Sequence, residues 1–106
     1  MHLTALGFDS VTCVCERGSL PECQSVPPLI ERRQARSCKL FAHAAGASDE
    51  VKAKKRLRAA LRALRAAENA TARAGKKGKI TGGCAAALEA ALGDAANRTR
   101  ELLGSL

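Results

Sequence analysis

The chain has no tryptophan, no tyrosine and only two phenylalanines, Phe8 and Phe41, among its 106 residues. Aromatic rings are the platforms on which unpaired bases stack, and neither phenylalanine lies near the basic residues of the second half, so single-strand recognition by stacking is not expected. The same scarcity thins the core. Alanine supplies most of the apolar count, and an alanine methyl buries far less area than a leucine or phenylalanine side chain. Small scaffolds built this way often rely on a metal, disulfides or a partner chain.

Long apolar runs are missing too. No stretch of the sequence approaches the roughly 18–20 continuous apolar residues that span a bilayer, so no membrane role is expected. The first residues offer no basic start, and Asp9 interrupts a modest apolar stretch, which is not the pattern of a secretory leader. These features place the protein in the cytoplasm, where thiols are normally reduced. An odd total of five cysteines argues in the same direction, against a disulfide framework.

Proline is absent after Pro28, and acidic residues are scarce where basic ones gather. Residues 49–81 hold eleven Lys/Arg against three Asp/Glu, a net of +8, whereas residues 1–48 net +1 and residues 82–106 net −1. The excess charge therefore belongs to one segment, and an anionic partner would be drawn to one face of the molecule.

The pattern along the chain is that of a mainly α protein with two parts. Residues 1–47 contain all three prolines and four of the five cysteines and read as a loosely ordered segment; residues 48–106 read as a helical hairpin. Ser48 suits an N-cap, with Asp49 and Glu50 in the first turn. Ala53, Leu57, Ala60, Leu61, Leu64, Ala67 and Thr71 recur at helical spacing, and Gly75 offers a left-handed stop. The spacing predicts a helix over 49–74, roughly 39 Å long at 1.5 Å per residue. A second stripe, Cys84, Leu88, Ala91, Leu92, Ala95, Thr99, Leu102 and Leu103, predicts a helix over 82–103 capped by Thr81. The short turn between them makes the pair antiparallel.

A lone hairpin leaves apolar surface uncovered. Either the first half folds over it or two hairpins pair through their Leu/Ala stripes; symmetric dimers being the commonest oligomers, a homodimer is the expectation. In the first half, Pro28 suits the first position of a helix, and Leu29, Ile30, Leu40, Phe41 and Ala44 outline a short helix over 29–44. Val11–Cys15 carries β-branched residues suited to a short strand.

The basic segment is the candidate site. Lys55, Arg58, Arg62, Arg65 and Arg73 project within about 80° of one another on a helix, and Lys76, Lys77 and Lys79 continue the charge into the turn. Cations in a line suit a phosphate backbone, met by charge-assisted hydrogen bonds and driven by counterion release. Arginine suits the task because its fork grips phosphate at two points. The ordinary alternative is a solvated helix face, since Arg and Lys are good helix formers.

Three other motifs are weaker. The glycine-rich turn at residues 75–83 fails as a phosphate loop: Gly78-Lys79 is followed by Ile80 and Arg73 stands where the first glycine belongs. Cys13, Cys15, Cys23 and Cys38, with His43, offer enough ligands for zinc, but only one close pair exists and it has a single intervening residue. Cys84 sits in the first turn of a helix, where a thiolate is stabilised, yet its place on the leucine stripe favours a buried small hydrophobe. No paired acid and base and no nucleophile triad can be assembled, so an enzyme is not expected, and no cofactor is implied. The expected function is binding to DNA or RNA through the phosphate backbone, with little sequence preference. The alternatives are a helical oligomerisation or protein-interaction module working through Leu57, Leu61, Leu64, Leu88 and Leu92, and a small zinc protein using the N-terminal cysteines.

Overall fold

The computed structural model describes Cys15 and residues 20–106. From residue 20 onward, three helices follow one another: α1 (Pro28–Ala45), α2 (Glu50–Lys76) and α3 (Gly82–Ser105). The mainly helical class is as expected, but among the described residues the two-helix hairpin is part of a set of three helices, α1 lying where a short helix over 29–44 was expected. Residues 11–14, part of the expected strand, lie outside the described residues, and Cys15 is helical rather than extended.

Local chemistry explains each boundary. Pro28 opens α1 at a position where its missing N–H costs nothing. The N-cap of α2 is Asp49 rather than Ser48: its Oδ1 accepts the Lys52 backbone N–H at 2.8 Å. Thr81 caps α3 as its sequence suggests, accepting from the Cys84 N–H at 3.1 Å. The left-handed residue between α2 and α3 is Gly78, at φ +70°, and not Gly75. Gly75 stays helical for a different reason. A Cβ there would stand 3.3 Å from the Ala85 Cβ, so glycine allows the start of α3 to lie close against the end of α2.

Helix α2 is central: both α1 and α3 pack on it. Near its N-terminal end Ala53 and Leu57 share a core with Leu40, Phe41 and Ala44 of α1 and Leu102 of α3. Near its other end Ala74 joins Ile30, Ile80, Cys84 and Leu88. Both neighbours therefore run antiparallel to α2, giving a rod 46 Å long and 20 Å across. Phe41 is fully buried, as are Ala44, Ala53, Ala60, Ala67 and Ala95. So many small residues allow the axes to approach to about 8 Å, the close end of helix packing. Thr71 and Thr99 are buried without penalty because each hydroxyl donates to a carbonyl one turn back, Ala67 and Ala95 respectively.

Helix α1 thus covers part of the apolar surface that the hairpin alone would leave open. Leu57, Leu64, Leu88 and Leu92 are buried within one chain, and the core crosses the division drawn at residue 47. The expectation of unpaired thiols is corrected as well. Cys23 is bonded to Cys84 and Cys15 to Cys38, with Cα separations of 4.8 and 5.8 Å. The first bond fastens the segment before α1 to the first turn of α3, across 61 residues. An odd count hides such pairing because one cysteine is always left over, and spacing alone never gives connectivity.

Candidate functional site

The buried residues of α2 define one face, and five of its nine cations form an arc on the opposite one. Taking 100° per residue, the inward set from Ala53 to Ala74 centres about 180° from the arc of Lys55, Arg58, Arg62, Arg65 and Arg73. All five are exposed, as are Lys76 at the helix end and Lys77 and Lys79 in the turn. Helix packing thus leaves the whole candidate set on the surface. The ridge follows a helix of 27 residues, about 40 Å long at 1.5 Å per residue.

No ion pair joins any of these eight residues to another described residue. Helix α3 treats its cations differently. Arg98 is bridged to Asp94, four residues earlier, at 3.0 Å, and Arg100 donates to the Asn97 side chain at 2.7 Å. The charge of α2 is therefore left for solvent or a partner, whereas that of α3 is partly answered within the helix. Glu68, a carboxylate beside the ridge helix's buried face, is half-buried and forms no ion pair with a described residue.

One contributor escaped the sequence reading. Arg33 of α1 lines a groove together with Arg73, Lys77 and Lys79. Its signal was present, since Arg32, Arg33, Arg36 and Lys39 make α1 basic. It was masked by summing residues 1–48, where distant acids cancel it. Only the docking of α1 on α2 brings its positive side chains to the same part of the molecule.

The suggested zinc ligands are not assembled as thiolates. Cys15, Cys23 and Cys38 stand in disulfides, and Cys13 lies outside the described residues. Among the described residues no group of three or more His, Cys, Asp or Glu side chains gathers around a point. Cys84 is buried as its stripe position suggests, but as a disulfide partner. No described helix is long and apolar enough to cross a membrane. No family model, curated protein or solved structure matches this chain.

Proposed function

We propose that the outer face of α2 binds the phosphate backbone of a nucleic acid, DNA or RNA, with little sequence preference. The observation that carries this reading is the ridge itself: Lys55, Arg58, Arg62, Arg65 and Arg73 lie exposed along one helix without a carboxylate partner among the described residues. A solvated helix face in a neutral surface usually intersperses both signs. Here nine Lys/Arg face two Glu within α2, a net of +7. Contacts of this kind position a protein on its partner and supply affinity, while sequence is read by base edges. The ridge carries no aromatic residue and no cluster of Asn or Gln for that purpose.

Replacing Arg58, Arg62 and Arg65 together with Gln tests the assignment. All three side chains are exposed, so helicity and melting temperature should hold. Duplex affinity at about 0.1 M salt should fall by about tenfold or more, and the salt slope should shrink by about 2–3. Binding that survives unchanged would end the proposal.

A further inference from the structure

We propose that the groove between the first turn of α1 and the last turns of α2 is a binding site for an oligophosphate chain, two or three linked phosphoryl groups, held by Arg33, Arg73, Lys77 and Lys79. These four cations come from three places: α1, α2 and the turn before α3. No carboxylate lines the groove, and its floor is apolar, built from Ile30, Ala66, Ala70 and Ala74. Like charges around a concavity with apolar walls repel one another and focus a positive potential into it. A multiply charged anion relieves that repulsion and is attracted by every wall.

The volume, about 390 Å³, lies at the small end of ligand sites. With no aromatic residue in the lining, the groove offers no ring for a base to stack on, and its two guanidinium groups are the ones placed to grip phosphate, so the recognised part is the phosphate chain. Arg33 and Arg73 can each grip a phosphoryl group with two N–H donors, while Lys77 and Lys79 act as point charges. The start of α1 adds to the field. Its N-cap, Pro27, makes no side-chain capping bond and borders the groove; its carbonyl accepts the Ile30 and Glu31 N–H groups at 3.0 and 3.2 Å, so the helix end adds only its dipole to the field of the four cations. Glu31, the acid of that first turn, does not line the groove.

This site goes beyond the ridge reading and is separable from it. Arg33 belongs to the groove and not to the ridge, whereas Arg58 and Arg62 belong to the ridge and do not line the groove. The test is calorimetric titration of the full chain with inorganic tripolyphosphate at about 0.1 M salt. Saturable one-site binding is expected, weakened about fivefold or more in Arg33→Gln. Arg33→Lys should recover part of the loss, and the Arg58→Gln/Arg62→Gln double variant should stay within about twofold of the parent. Circular dichroism confirms that each variant is folded. Absence of saturable binding, or a loss in Arg33→Gln no greater than in the ridge double variant, overturns the site. A short RNA with a 5′-triphosphate is then compared with its 5′-hydroxyl form. Preference for the former assigns the chain to a nucleic-acid end, and equal binding assigns it to a free oligophosphate; both sustain the groove. Failure of the ridge alone would appear as weak duplex binding with tripolyphosphate binding intact.

Discussion

Helices α2 and α3 lie antiparallel, are of similar length, and present alanine and leucine to the same core. Their surfaces diverge. Helix α2 nets +7 with its ridge cations unpaired among the described residues, while α3 nets −1 and bridges Arg98 to Asp94. Packing alone asks the same of both, so packing does not account for the charge of α2. Exposed like charges one turn apart weaken a helix by a few tenths of a kcal/mol per pair. A face that accepts this cost along most of its length is better explained by what it meets than by what it supports.

The two helices also differ in how they are held. Helix α2 has a neighbour on each side, whereas α3 has α2 and the Cys23–Cys84 bond. The largest predicted effect breaks that bond. Replacing Cys23 and Cys84 with Ser opens a 61-residue loop, which costs about 4 kcal/mol by the chain-entropy estimate. Chemical denaturation should show the loss, with protection of α3 amides falling before that of α2. Equal protection in both would mean that the bond does not single out α3.

Cavities sharpen the same contrast at a smaller scale. Leu57 and Leu92 are both buried to 1% exposure or less, but Leu57 sits on the helix pressed from two sides. Leu57→Ala should cost about 3–4 kcal/mol and Leu92→Ala about 2–3, because the site on α3 can relax more readily. Equal losses would argue against a central role for α2.

The hairpin was legible because its signals are local. Stripes from Ala53 to Thr71 and from Cys84 to Leu103 placed both helices, and Thr81 announced its cap; the observed ends differ from expectation by two residues at most. Pro28 likewise opened α1 as its fixed backbone angle suggests. What stayed hidden is non-local. Gly75 resembles a helix stop until Ala85 is seen packing beside it. The pairing of Cys23 with Cys84 joins residues that only the fold brings together. The ridge cations were readable from helical spacing on α2, but Arg33 required knowing which side of α2 receives α1.

The thiols matter for where the chain works. The expectation of a cytoplasmic, reduced protein rested on the first residues of the sequence and on the odd cysteine count. Disulfides of this kind persist in oxidising surroundings, so their state in the producing cell, read by alkylation and gel shift, bears on location more directly than the sequence does.

The central claim is that the charge of α2 exists to meet phosphates. Its most direct test is the slope of log affinity against log salt for a duplex of about twenty base pairs. Each phosphate neutralised contributes about −0.9, so five ridge residues give a slope near −4 to −5, steeper if the turn lysines join. A slope near zero, or no binding at about 50 mM salt, would contradict the account.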